Sequence, residues 1–560
     1  MSINILEQTK LAELFKEAEK FFLQTKYEES EKILLNILHE IHDQQDALHN
    51  LATIYFAQNK KKEAVILLKK VLLINPELYN IHYHCAIALS ELDELDEAIF
   101  HCNESIRINK NYIDPYLHLA KIFEFQKKSK EVIKTYKKLI EFNPGDIQAY
   151  LLLSDFYSRE GKQHEAIQVS YELDNIRKNI PEVYFNLGTY FSYLKNYEKS
   201  IEKFLEAIKL RPGYAEAHGN LGDIYARKGL FLKSELHANL ALKFADYNSY
   251  FYFEQKNNLG FFRLRLGKYQ SGWQDYDFRL KLKNNSLCRY NLNPNSWKKI
   301  QANSSILVLS EQGIGDTIYL SRFFKSLADL SSELSVQIDA RLLNIFERTF
   351  SEIKFLDKDK EININDFKYQ IPIASIPSLF IKSKKDFSKI YPQNLIPNKS
   401  IKIKTKYKIL VGISWRSSSP GLGEDASIEL ENFLKIFDGL QVSIINLQYG
   451  ELSEHEKNII LSFGNIEFIN YQIIDNFNDI DGLLSLIDCC DYVVTIDNIT
   501  LHLASSTNKL TYGLLPIFSD FRWGVNDDKH DLYPSLKLIR SKKVNDWSEV
   551  INITNMALKK

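Results

Sequence analysis

The chain has 560 residues, 45% of them apolar, with 71 basic and 72 acidic side chains and a net charge of −1. That is ordinary globular composition, long enough for roughly three or four folded units, and the balanced charge excludes a general attraction to nucleic acid. Met1–Lys20 carries charges throughout, no run approaches the ~18 apolar residues of a membrane span, and the cysteines (Cys85, Cys102, Cys288, Cys489, Cys490) are scattered. A cytoplasmic chain is expected, with no transmembrane segment, disulfide framework or zinc site.

The first half repeats. Ala64, Ala98, Val132, Ala166, Ser200 and Ser234 follow one another at steps of 34 residues. In the same register Leu51-Ala52, Leu119-Ala120, Leu153-Ser154, Leu187-Gly188 and Leu221-Gly222 precede aromatics by one helical turn: Tyr55, Phe123, Tyr157, Phe191 and Tyr225. Pro76, Pro144 and Pro212 stand where a helix must stop. Small residues let paired helices approach, and aromatics fill the gaps between them. One pair cannot bury its own apolar face, so the units must stack. This half, from about Leu11 to Arg279, resembles the tetratricopeptide-repeat family. It holds roughly seven or eight units by that family's repeat length. The resemblance implies an α-solenoid over 1–282 that binds a protein partner on its concave face. The aromatic stripe itself reads as core.

Lys283–Trp297 is polar and turn-rich, so 283–300 reads as a linker. Apolar runs then alternate with amphipathic stretches: strands at Ile306–Leu309, Leu334–Ile338 and Ile353–Leu356, helices at Thr317–Leu330 and Arg341–Phe350. Ile381–Lys408 reads as a crossover. A second series has strands at Ile409–Ser414, Val442–Leu447, Ile466–Tyr471, Tyr492–Ile496 and Leu510–Leu515. This predicts two Rossmann-like α/β lobes, 301–400 and 401–560, with a cleft at the carboxyl ends of their strands.

The polar content clusters at those ends. Gly313-Ile314-Gly315-Asp316 is a glycine turn between a strand and a helix. Ser414-Trp415-Arg416-Ser417, Gln448-Tyr449-Gly450 and Asp497-Asn498-Ile499-Thr500-Leu501-His502 follow later strands, and Arg522-Trp523 follows the strand ending at Leu515. Read alone, each has a plain structural alternative. Asp316 and Asp497 would cap helices, Arg416 would form a surface ion pair, and His502 would be a core histidine. Gln448-Tyr449 would be a strand-end turn, and Trp523 would pack on the surface or stack on a ring. Asp357-Lys358-Asp359 imitates a metal-binding Asp-x-Asp but lies in a charged, turn-like run.

From about Trp297 to Trp547 these residues resemble the glycosyltransferase family 9 superfamily, which includes the bacterial heptosyltransferases, and more closely its branch fused to tetratricopeptide repeats. The signatures are Glu311–Asp316, Gly412–Ser417, Asn446–Gly450 and Asp497–Ala504, with Gly272-Trp273 at the junction. The resemblance implies a GT-B fold and a metal-independent inverting glycosyltransferase. A nucleotide-diphospho-sugar would be the donor substrate, a hydroxyl on a glycan or protein the acceptor, and no cofactor is called for. It assigns Asp316 as general base and Glu311, Gln312, Gly313 and Gly315 as the acceptor loop. It assigns Ser414, Arg416, Ser417, Gln448, Tyr449, Asp497, Asn498, Thr500 and His502 to the donor. Heptosyltransferases carry Thr-Gly after the aspartate, where this chain has Asn498-Ile499, so a side chain stands where backbone would approach the sugar nucleotide. Their phosphate-site lysine is replaced in this reading by Arg416. Two other function classes remain open at this level: a repeat scaffold with an inactive glycosyltransferase-like domain, and a nucleotide-sugar hydrolase or sensor.

Overall fold

The 34-residue period becomes pairs of helices because each unit ends its first helix in the same way. Thr25, Asn59, Asp93, Lys127, Gly161, Lys195, Gly229 and Gly267 all have positive φ, between 55° and 76°. The next residue's N–H then reaches back to a carbonyl of the last helical turn, as in Lys60 to Tyr55 at 2.8 Å and Leu230 to Tyr225 at 2.8 Å. This is the left-handed helix stop in which glycine is favoured, yet most of these stops carry a side chain. The result is sixteen helices, from Ile5–Leu23 to Tyr269–Tyr276. The six step-marking residues, Ala64 to Ser234, are all 0% exposed. Of the aromatics, Tyr157, Phe191 and Tyr225 are buried and Tyr55 and Phe123 half-buried, so the stripe is core.

The computed structural model describes residues 5–287, 290, 292, 294–398, 401–417, 423–524 and 528–559. Cys288 lies outside them, and the other four cysteines are free thiols. Among the described residues no helix is long and apolar enough to cross a membrane. The chain forms two compact units, Met1–Asn196 and Tyr197–Lys560. The compact division therefore falls earlier than the change of composition near 282. The reason lies in the second unit, where the helices from Tyr197 onward share a body with the α/β region.

That region holds two sheets. The first has β1 (Ser304–Leu309), β2 (Ser331–Ile338), β3 (Lys354–Asp357) and β4 (Tyr369–Pro372), ordered β3-β2-β1-β4 and all parallel. The second has β5 (Leu410–Ser414), β6 (Val442–Asn446), β7 (Ile466–Ile469), β8 (Tyr492–Ile496), β9 (Thr511–Leu515), β10 (Lys529–His530) and β11 (Tyr533–Arg540). Its order is β10-β11-β9-β8-β5-β6-β7, parallel except for β10 against β11. β4, β10 and β11 lie outside the runs expected from sequence. Asp357-Lys358-Asp359 forms a turn, Asp357 accepting from the Asp359 N–H at 3.1 Å.

The helix expected over Thr317–Leu330 is broken instead into Ile314–Leu320, a 3-10 turn at Ser321–Phe323 and Phe324–Ala328. The break sits at Arg322, whose side chain is almost wholly buried (1% exposed). It donates to the carbonyls of Gln393 at 2.6 Å and Leu532 at 3.2 Å, tying the first sheet's helix to the crossover and to the second sheet.

Two predictions come from the repeats. Lys127 has φ 56° without the tolerance that asparagine or glycine has there. Lys127→Gly should therefore stabilise the chain by about 1 kcal/mol, read as a higher denaturation midpoint. A second prediction concerns paired histidines. His82 donates through Nε2 to the Pro76 carbonyl (3.0 Å) and so accepts at Nδ1 from His101 (2.8 Å). His218, Pro212 and His237 repeat this arrangement. Burial, then the neighbouring imidazole, lowers His101 and His237 from 6.5 to about 4. As pH falls below 6.5 the unfolded chain takes up protons that the folded histidines refuse, so stability should drop. Thermal scans from neutral pH to about pH 5 should show the drop, and His101→Gln with His237→Gln should flatten it.

Candidate functional site

In the first sheet β1 has β2 on one side and β4 on the other; in the second, β5 lies between β6 and β8. Such reversals of strand order open crevices beyond the carboxyl ends of the strands. A cavity of about 410 Å³ lies there. Its walls carry Gly313–Asp316 after β1, Ser417 after β5, Tyr449 after β6, Asp497–Ile499 after β8, and Asp520 and Arg522 after β9. The glycine loop approaches the second sheet's helix Ile499–Ser506 so closely that a Cβ on Gly315 would stand 3.0 Å from the His502 ring.

Asp316 lies in the first turn of Ile314–Leu320. Its carboxylate is ion-paired with Arg522 from the other sheet. Arg522 also holds Asp520, through Nη2 at 3.1 Å and its own backbone N–H at 3.0 Å. Asp497 sits beside them. Burial first, then Asp520 and Asp316, pushes its carboxyl up to about 6 despite the opposing Arg522. Burial also raises Asp520. Arg522 is held charged by its three carboxylates although burial works against it. His502 is pressed well below its usual value by burial, then by Arg522 and His530. It stacks on Trp523 with centroids 4.9 Å apart and meets the Tyr533 hydroxyl at 3.3 Å. His502 is thus a neutral, packed imidazole whose edge lines the cavity.

The loop after β5 is fixed by one amide. Gln448 Oε1 accepts from Ser414 Oγ (2.9 Å), Trp415 N (3.1 Å) and Arg416 N (3.0 Å). Asn498 caps Ile499–Ser506 through the Thr500 N–H (3.0 Å) and donates to Ser414 Oγ at 2.7 Å. Ser414, Gln448 and Thr500 are therefore buried supports, while Ser417, Tyr449, Asp497 and Asn498 reach the cavity. Arg416 does not line it. Its Nη1 pairs with Glu456 at 3.2 Å, and Nη2 lies near the carbonyls of Tyr449 and Glu451. The guanidinium thus already has an acid. The cavity cation is Arg522, which the sequence places shortly after a strand end but to which it assigns no donor role. Arg341, also lining the cavity, is committed to Asp339 at 2.8 Å and to the Phe477 carbonyl at 3.1 Å.

Three segments match family models: residues 45–80 and 135–168 match models described as tetratricopeptide repeat, and 191–229 a model described as TPR repeat. The helical array is made of tetratricopeptide repeats. Protein FlbA of Caulobacter vibrioides is 22% identical over 326 residues, 53% of this chain and 53% of FlbA. The chain thus spans about half the length of that curated relative. Among solved structures, YrrB, described as a TPR protein with an unusual peptide-binding site, is 17% identical over 34% of this chain and 97% of its own, with a TM-score of 0.27. The C-terminal part of a TPR protein from Cytophaga hutchinsonii is 14% identical over 44% of this chain and 99% of its own (TM-score 0.36). One from Parabacteroides merdae is 13% identical over 44% and 96% (TM-score 0.33).

The last tetratricopeptide repeat is locked to the glycine loop. In that repeat Gly260 lets two helices touch, since a Cβ there would run into the backbone of Tyr276. Just beyond, Arg279 pairs with Glu311 (Nη2 at 2.6 Å, Nε at 3.1 Å) and with Asp277 at 3.2 Å. The side chains of Arg279 and Glu311 are 6% and 0% exposed. Asn285, Gln312 and the Ala374 N–H complete the shell around Glu311. Burial alone would raise the Glu311 carboxyl, but Arg279 and these donors hold it below its usual range. Glu311 and Gln312 therefore face the repeat array and do not line the 410 Å³ cavity, unlike Gly313, Gly315 and Asp316. Breaking one side of this buried pair should cost about 3–5 kcal/mol. Glu311→Met or Arg279→Met alone should lower the denaturation midpoint sharply. The double variant should cost less than the sum, because Glu311 is removed together with its cation, while Asp277 keeps Ser375 Oγ at 2.7 Å and Lys298 at 3.8 Å.

Proposed function

We propose that the protein is a glycosyltransferase. It would move a sugar from a nucleotide-diphospho-sugar to an acceptor hydroxyl, on a GT-B arrangement of its two sheets, with the tetratricopeptide repeats recruiting the acceptor or a partner protein. The observation that carries this reading is the convergence of two strand-end motifs on one cavity: the Gly313–Asp316 loop from one sheet and Asp497–Ile499 from the other. Asp316 Oδ takes the proton of the acceptor hydroxyl as that oxygen attacks the anomeric carbon. The bond from that carbon to the diphosphate breaks, and the nucleoside diphosphate leaves with the electron pair. Ser417 and the Asn498–Ile499 start of the helix line the wall that faces the charge that develops. The fixed loop after β5 supports this reading, since Gln448 takes up the Ser414, Trp415 and Arg416 donors and so holds the loop that carries Ser417 to the cavity wall.

A second reading, an inactive lobe serving a repeat scaffold, is favoured by the internal satisfaction of the charges: Asp316 on Arg522, Arg416 on Glu456. Nucleotide release from a panel of nucleotide sugars, with and without host lysate as acceptor, separates the two. Release that depends on lysate and falls by about 10²–10⁴-fold in Asp316→Asn supports transfer. Release without lysate indicates a hydrolase, and no release across the panel leaves the scaffold.

A further inference from the structure

Of the described residues lining the cavity, Arg341 and Arg522 carry the cationic side chains. Every nitrogen of the Arg341 guanidinium already has an acceptor: Nε and Nη2 on Asp339, Nη1 on the Phe477 carbonyl. Arg522 differs. One end is anchored within its own loop, through Nη2 to Asp520 at 3.1 Å, and the backbone on either side is fixed. Its own N–H bonds Asp520 at 3.0 Å, and Trp523, 1% exposed, gives its carbonyl to Arg540. The other end, Nη1, crosses to Asp316 of the opposite sheet. Arg522 thus rests on a pivot at Nη2, while its Nη1 end can exchange partners and its buried Nε has no acceptor among the described residues.

The guanidinium holds Oδ1 of Asp316 and has no bond to Oδ2, so the pair occupies one of the two oxygens and fixes how the carboxylate is turned. A phosphate offers the same guanidinium a second anionic acceptor, since the arginine fork fits phosphate as it fits carboxylate. Exchanging one anion for the other keeps the Arg522 charge paired at both stages and leaves the partly exposed Asp316 carboxylate to the acceptor hydroxyl.

We propose that the Asp316–Arg522 pair is a gate between the two substrates: the phosphate of an arriving nucleoside diphosphate group takes the Nη1 end of Arg522, and Oδ1 of Asp316 is released to the acceptor only then. The gate rests on the glycosyl-transfer reading above. It makes Arg522 a contact to the leaving group and couples donor arrival to the release of Oδ1 of Asp316.

The gate has an unusual signature in binding. Asp316 competes with phosphate for Arg522, so removing its charge should tighten nucleoside diphosphate binding, although it abolishes turnover. Calorimetric titration of the full chain with UDP, GDP and ADP provides the test. Asp316→Asn should bind the preferred nucleotide roughly tenfold more tightly than the unaltered protein, and Arg522→Gln roughly tenfold more weakly, the scale of one charge-assisted bond. A nucleotide that binds all three proteins equally, or binds Asp316→Asn more weakly, overturns the gate and leaves the transfer reading standing. No binding of any of the three nucleotides to either the unaltered protein or Asp316→Asn removes both. Should Arg522→Gln fail to fold, the direction of the Asp316→Asn change still decides.

Discussion

The cavity depends on an ion pair that does not belong to it. Arg279 leaves the last repeat and enters the α/β region to meet Glu311, with both side chains almost wholly out of water. Taking two charges into a protein interior costs several kcal/mol each, and the attraction between them roughly restores it. Such a pair therefore contributes little net stability but is intolerant of misplacement. Here it fixes the residue two positions before Gly313, and Ser375, reached by both Arg279 (2.9 Å) and Asp277 (2.7 Å), adds the loop after β4. The direction in which the Gly313–Asp316 turn leaves β1 is set from the repeat array.

The second sheet is tied to the repeats by a mostly apolar contact. Phe261 and Trp273 of the last repeat pack on Phe518 and Phe521 beyond β9. Arg265, 3% exposed, donates to the Asp520 carbonyl at 3.0 Å. The segment so held is the one that carries Arg522. The same repeat therefore positions both partners of the Asp316–Arg522 pair, one through Glu311 and one through Asp520. That gives the fusion of the two architectures a physical consequence beyond tethering.

The repeats were readable because each unit solves one local problem with the same residues. The six small residues at the helix contact, Ala64 through Ser234, are all fully buried. The positive-φ stops were not visible in the same way, because threonine, asparagine, aspartate and lysine occupy most of them and only position identifies them. Strands buried on both faces, such as Leu410–Ser414 and Tyr492–Ile496, announce themselves as apolar runs. Tyr369–Pro372 and Tyr533–Arg540 do not, since each contains proline and the latter alternates with polar residues. The broken helix around Arg322 was unreadable for a different reason. Its cause is the distant carbonyls of Gln393 and Leu532.

The site divides along the same line. Gly313, Gly315, Asp316, Asp497 and Asn498 were legible because a turn between strand and helix has local chemistry: close approach, a cap, a carboxylate in the first turn. The choice of cation was not local. Arg416 and Arg522 both follow strand ends, and nothing in their immediate neighbours ranks one above the other. The acid that claims Arg416 is Glu456, four tens of residues away in sequence yet marked by a recognisable pattern. Ser453 and Glu456 form a capping box at the start of Glu454–Ser462, with Glu456 Oε2 accepting from the Ser453 N–H at 2.8 Å. A capping glutamate spends one oxygen on its helix and keeps the other, here Oε1, for a neighbour. Arg522 has its counterpart in the 3-10 turn Phe521–Trp523, whose capping Asp520 gives one oxygen to the Arg522 N–H and the other to Nη2. Its acids are Asp520, which anchors it, and Asp316, which is part of the chemistry proposed for the cavity. An arginine whose second partner is itself a reacting group is the one placed to change partners during a reaction.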